Sequence, residues 1–180
     1  MSGNQSDFAF IREDASRIVI GYDCKKVTGK SLYEWYEVYL PKRQTSQLTL
    51  DLVKESIIAD IDAQTDDTIL HGFSWTILHG ESQGDTVNTW LSAENQRNYS
   101  EGQRVALMTN GQNLPLTYKI GETADKVAVY DTFETVQEIT TFYLMGAQFI
   151  DNCLKAGWQR KDSIDWQPYE QALHDLNPTA

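Results

Sequence analysis

The sequence predicts an α+β fold: an N-terminal β-hairpin arm, a linking helix, and a ββαββα body whose antiparallel hairpins pack on a long helix. Three observations carry this. Apolar residues alternate with polar ones at period two over residues 71–77. They recur at helical spacing over Thr49–Gln64 and again from Val136 to Leu154. Gly-containing polar loops separate the short strands at hairpin distances.

The arm comes first, over residues 1–47. Ser16–Tyr22 is a short run rich in β-branched residues, and Leu32–Leu40 is the strongest strand. The turn Val27-Thr28-Gly29-Lys30-Ser31 joins them. The second strand places Tyr33, Trp35 and Tyr39 on one side and Leu32, Tyr36, Val38 and Leu40 on the other, so both sides are expected to be covered. The linking helix lies within 48–68. Leu50, Val53, Ile57, Ile58 and Ile61 form its stripe, Thr49 is the N-cap, and Asp51 suits the positive end of the helix dipole. The stripe is narrow, so it fits another subunit as well as its own domain.

The body spans 69–166. His71, Phe73, Trp75 and Ile77 alternate along the first strand, and Thr86–Leu91 returns. Ser92 caps a helix from Ala93 to Thr109, which Asn110-Gly111 closes. Leu114–Ile120 and Lys126–Tyr130 form the second hairpin. Asp131 or Thr132 is expected to cap the last long helix, and Gly157 to end it. A tail, 167–180, adds a short helix over Trp166–Leu176 before Pro178.

Composition narrows the function classes. The 180 residues are 41% apolar and 23% charged, as in a globular chain. The net charge of −11 repels phosphate backbones and anionic lipid, so neither nucleic acid nor membrane is an expected partner. The N-terminal residues lack the basic flank and apolar stretch of a signal peptide. Cys24 and Cys153, 129 residues apart, make neither a disulfide framework nor a zinc site.

The motifs that resemble catalytic signatures are incomplete. Gly29-Lys30-Ser31 ends like a phosphate loop, but Cys24 stands where the first glycine belongs and a strand follows instead of a helix. Gly72-Phe73-Ser74-Trp75-Thr76 begins like a nucleophile elbow, yet Thr76 replaces the last glycine and Ser74 lies inside a strand. His71 and His79 would lie roughly 26 Å apart on an extended strand, too far for one metal. His71 is expected to flank an aromatic core and His79 a loop mouth. The carboxylates Asp60, Asp62, Asp66, Asp67 and Glu94 show no calcium-loop pattern and read as a solvated face. A glycosidase pair, whose two acids lie far apart in a chain, stays open on sequence alone. No catalytic, metal or cofactor residue is therefore expected, and the chain is read as not an enzyme.

The aromatic supply is the strongest feature, with five Trp, nine Tyr and six Phe. Tyr and Trp anchor protein interfaces because they bury large area at low entropic cost. Tyr33, Trp35, Tyr36 and Tyr39 sit in the zone least able to build its own core. Together with Leu50, Val53, Ile57 and Ile61 they are the expected interface; an intramolecular core is the other reading of the aromatic cluster.

Gly72-Phe73-Ser74-Trp75, Thr89-Trp90-Leu91-Ser92-Ala93-Glu94-Asn95-Gln96, Leu114-Pro115-Leu116-Thr117-Tyr118-Lys119 and Lys161-Asp162-Ser163-Ile164-Asp165 follow one another over Ile69–Trp166. As a series they resemble a phage-associated domain of unknown function found in tail-fibre and other virion proteins. The family has no accepted catalytic residues to carry over. In that light Trp75 and Trp90 are core, Ser92 a cap, Pro115 the opening of an edge strand, and Asp162 and Asp165 the bracket of a turn. The chain has no long fibrous region. The resemblance therefore implies a bacteriophage virion structural protein, namely a tail, connector or fibre-adaptor subunit. Such a protein is made in the host cytoplasm, forms a homo-oligomer and contacts other virion proteins. The alternatives are a non-virion tail or fibre assembly factor and a host-surface glycan-binding module.

Overall fold

The computed structural model describes residues 9–28, 33–42 and 48–176. The fold is α+β, with four helices and three small antiparallel sheets among these residues. The turn at Gly29-Lys30-Ser31, Leu32 and Pro178 lie outside the described residues.

The chain divides into two compact units, one holding the residues up to Gln64 and from Gly157 on, the other Thr65–Ala156. In the first unit, β1 (Phe10–Glu13), β2 (Arg17–Lys26) and β3 (Tyr33–Pro41) form an antiparallel sheet in that order. The expected hairpin has gained a strand. Its inner face packs on α1 (Leu50–His71) and α4 (Gln167–Leu176). Ile18, Ile20 and Tyr22 of β2 meet Val53, Ile57 and Ile61 of α1 and Tyr169 of α4 in one core. The arm and the helix are therefore parts of one folded body. The narrow α1 stripe buries its apolar side on β2 and on Tyr169 of α4.

Several helix ends differ from expectation. Thr49 does cap α1, accepting from the Leu52 amide at 3.2 Å. The helix then runs seven residues past Gln64, through the start of the expected strand, until Gly72 at φ +72° ends it. There the Gly72 amide donates to the Ile69 carbonyl at 3.0 Å. A side chain at Gly72 would collide with the Thr89 carbonyl. His71 is consequently exposed on the last helical turn instead of flanking the core, its Nδ1 2.8 Å from the Asp67 carbonyl oxygen.

The second unit has the order β4 (Ser74–Thr76), β5 (Thr86–Asn88), α2 (Ala93–Met108), β6 (Leu116–Glu122), β7 (Ala128–Phe133) and α3 (Val136–Asp162) as far as Ala156. Ser92 caps α2 through the Asn95 amide. Asn110 and Gly111 follow its end with positive φ. Phe142 of α3 is the hub of the core, with the rings of Trp75, Tyr99 and Phe133 each 4.9 Å away. The expected cap of α3 at Asp131 or Thr132 is replaced. β7 continues through Phe133, and Thr135 with Glu138 forms a capping box. Thr135 Oγ1 accepts from the Glu138 amide, and Glu138 Oε2 accepts from the amides of Glu134 and Thr135. Gly157 lies inside α3 instead of ending it, and the helix stops at Asp162 before the Asp165 turn.

Candidate interaction surface

The register of the first sheet fixes what lies on its outer face. Phe10 pairs with Gly21, Arg12 with Val19, Val19 with Tyr39, and Gly21 with Glu37. Directly opposed residues share a face, so Phe10, Arg12, Val19, Gly21, Glu37 and Tyr39 lie together. Trp35 joins them by the alternation of β3.

Glu37 is the hub of this face. Its carboxylate accepts from Trp35 Nε1 at 3.0 Å, Tyr39 Oη at 2.6 Å and Arg12 Nη2 at 3.0 Å. The Trp35 and Tyr39 hydrogen bonds, with the Arg12 charge behind them, hold its carboxyl below the usual range. Arg17 lies 4.1 Å over the Tyr39 ring. Phe10 meets Trp35 edge-on at 6.3 Å, and its ring lies over the bare Cα of Gly21, where a Cβ would come within 2.4 Å of it. Beneath this layer Val19 is only 1% exposed, while Trp35 is 41% and Tyr39 48% exposed. The outer face is thus a preset lattice of rings and charges that still shows solvent much of its aromatic surface.

The expected interface residues separate in the structure. Trp35 and Tyr39 are on the outer face, with Tyr33 in strand register beside them. Tyr36 is on the inner side, stacked on Tyr22 at 5.6 Å and covered by the Arg160 guanidinium at 4.8 Å. It remains 45% exposed at the sheet margin. Val53, Ile57 and Ile61 have no accessible surface, and Leu50 packs against the same core. A side chain without accessible surface has none to give a partner, so the helical stripe is corrected from interface to core.

A polar network closes the inner margin of the first unit. Tyr22 Oη donates to Asp60, and Gln64 Nε2 donates to Tyr22 Oη at 3.0 Å and to Asp60 at 2.8 Å. Arg160 Nη1 donates to Gln64 Oε1 at 3.1 Å, and its Nε to Asp23 at 3.0 Å. Asp23 sits at φ 52° beside a β-bulge in β2, which aims its carboxylate at Arg160. Burial, with the Asp60 hydrogen bond added, pushes the Tyr22 hydroxyl up. Burial also raises the Cys24 thiol, which makes it a poor nucleophile. Among the described residues no group of three His, Cys, Asp or Glu side chains could hold a metal ion. No described helix is long and apolar enough to cross a membrane.

In the second unit, Asp131 is buried and accepts from Trp75 Nε1 at 2.8 Å and from the amides of Leu78 and His79 at 3.0 and 3.1 Å. His79 Nε2 stands 3.3 Å from Glu138. Desolvation raises the Glu138 carboxyl, but the Glu134 and Thr135 amides and His79 outweigh it and hold the group below the usual range. These contacts tie the β4–β5 loop to β7 and to the start of α3. Ser74, the elbow candidate, is an exposed strand residue.

Sequence reasoning missed Glu37 and Arg160, and read Asp131 as a helix cap. Glu37 interrupts the aromatic strand Leu32–Leu40 in the sequence. That interruption was the signal, since a lone carboxylate among Trp and Tyr has donors at hand on the same face. Arg160 and Asp131 meet partners 137 and 56 residues away, and no local pattern shows those pairings.

No family model, curated protein or solved structure matches this chain. The reading of function therefore rests on its own residues.

Proposed function

We propose that this protein is a structural subunit that assembles by protein–protein contact, with the outer face of the β1–β2–β3 sheet as its contact surface. The observation that carries the reading is the half-exposed pair Trp35 and Tyr39, held in place by Glu37 on a face already ordered without a partner. Ordering side chains is a main cost of association, and here part of it is met in advance. Rings of this type supply most of the energy at protein interfaces. The virion setting, as a tail, connector or fibre-adaptor subunit, rests on the resemblance of the motif series over Ile69–Trp166 to a phage-associated domain. A copy of the same chain is the first partner, because closed symmetric assemblies are the usual architecture of such subunits.

The test is the double substitution Trp35→Ser and Tyr39→Ser, read by light-scattering mass and circular dichroism. The expected result is a native spectrum with the oligomer lost. A molten spectrum would make these rings part of the core. An unchanged oligomer would place the contact elsewhere.

A further inference from the structure

The second unit contains a cleft that the assembly reading does not use. It has a volume of about 380 Å³ and lies between α2 and α3. Small-molecule sites begin at roughly 300 Å³ and are mostly apolar with a few placed polar groups. The floor here is Phe73, Leu91, Tyr99 and Phe142, all buried. Gly146 and Ala147 give α3 a thin wall, and a Cβ on Gly146 would already press on the Phe73 ring at 3.2 Å.

The rim is polar in a particular way. Arg97, Ser100 and Tyr143 line the cleft, and none of their side chains has a hydrogen-bond or ion-pair partner among the described residues. The contrast with the other described arginines is sharp. Arg12, Arg17, Arg104 and Arg160 each hold a carboxylate. In a chain with 26 acidic and 15 basic residues, an arginine without a carboxylate is the exception. Its fork of N–H donors matches a planar carboxylate.

We infer that the α2–α3 cleft binds a small amphiphilic carboxylate, with its ring or short chain on the Phe73–Phe142 floor and its carboxylate on Arg97. The half-buried walls Tyr143, Ala147 and Ile150, with the exposed edges of the floor rings, supply the apolar contact. Arg97 supplies the choice of anion over neutral isostere, with the Ser100 and Tyr143 hydroxyls as further donors at the rim. The inference is independent of the sheet-face reading, because every residue involved belongs to the second unit.

The test uses 2-naphthoate and its neutral isostere 2-naphthamide, titrated into the full chain and followed by amide chemical shifts. The expected result is saturable binding that shifts residues around Tyr99 and Ala147. Naphthoate should bind about three- to fivefold tighter than naphthamide, the size of one ion pair at an exposed arginine. Arg97→Gln should remove that preference and leave naphthamide binding intact. Ala147→Leu, which fills the cleft, should abolish binding of both while the spectrum stays folded. Equal affinity of the two probes in the unaltered protein, no binding of either, or binding that survives Ala147→Leu would overturn the inference.

Discussion

Replacing Asp131 with alanine removes a buried carboxylate that holds three N–H groups of the β4–β5 loop region. The Trp75 indole N–H is fully enclosed, and the Leu78 and His79 amides are partly so. An enclosed donor left without an acceptor costs about 1–3 kcal/mol, and two amides that water can partly reach about 1 kcal/mol each. Relief from no longer desolvating a carboxylate offsets some of this, so the net loss should be roughly 3 kcal/mol. Urea denaturation followed by circular dichroism reads the loss as a lower midpoint at an unchanged slope. A cycle with Trp75→Phe isolates the indole contribution. That substitution should cost at least about 1 kcal/mol less in the Asp131→Ala background than in the unaltered protein. A loss below about 1 kcal/mol for Asp131→Ala, or equal costs for Trp75→Phe in both backgrounds, would refute the view of Asp131 as the clamp of this loop.

Other perturbations probe the first unit. Ile57→Ala should cost about 3–4 kcal/mol of unfolding free energy, as expected for a side chain with no accessible surface, and should leave the self-association of the folded protein unchanged. Dissociation without destabilisation would return the α1 stripe to the interface. Glu37 has a folded pKa below its unfolded value, near 4.3. Its stabilisation is therefore present above about pH 4.3 and lost as pH falls through the lower folded value. The Trp35 indole resonance should titrate in that acid range and stop doing so in Glu37→Gln; a titration unchanged in Glu37→Gln would contradict the assignment. Gly21→Ala should push the Phe10 ring off β2 and cost about 0.5–1.5 kcal/mol through the lost Phe10–Trp35 contact. Unchanged stability with an unchanged Trp35 environment would show that this ring packing carries nothing.

The fold was largely legible because its signals are local. Period-two alternation marks β4, helical spacing marks α1 and α3, and Ser92 and Thr49 mark helix starts. The misplaced boundaries have physical causes. α1 outruns its apolar stripe because nothing between Gln64 and His71 breaks a helix, and Gly72 is the first residue that does. The Thr135–Glu138 box was present in the sequence but lost to the more familiar aspartate cap at Asp131, whose side chain faces the interior instead. The contact surface was half legible. Alternation separated Trp35 and Tyr39 from Tyr36, but a helix stripe that serves a partner cannot be told from one that serves its own sheet until the sheet is placed. Long-range pairs such as Arg160 with Asp23 and Asp131 with Trp75 leave no periodic trace.

Site-specific photocrosslinking tests the central claim most directly. p-Benzoylphenylalanine in place of Tyr39 puts a reactive ring on the outer sheet face. The same residue in place of Leu144, which is 57% exposed on α3, provides the control. The account predicts a covalent dimer from position 39, with its crosslinked peptide mapping to the sheet face of a second copy, and none from position 144. Crosslinking from position 144 alone, or a protein that stays at its 20.5 kDa monomer mass and forms no adduct from position 39, would contradict it.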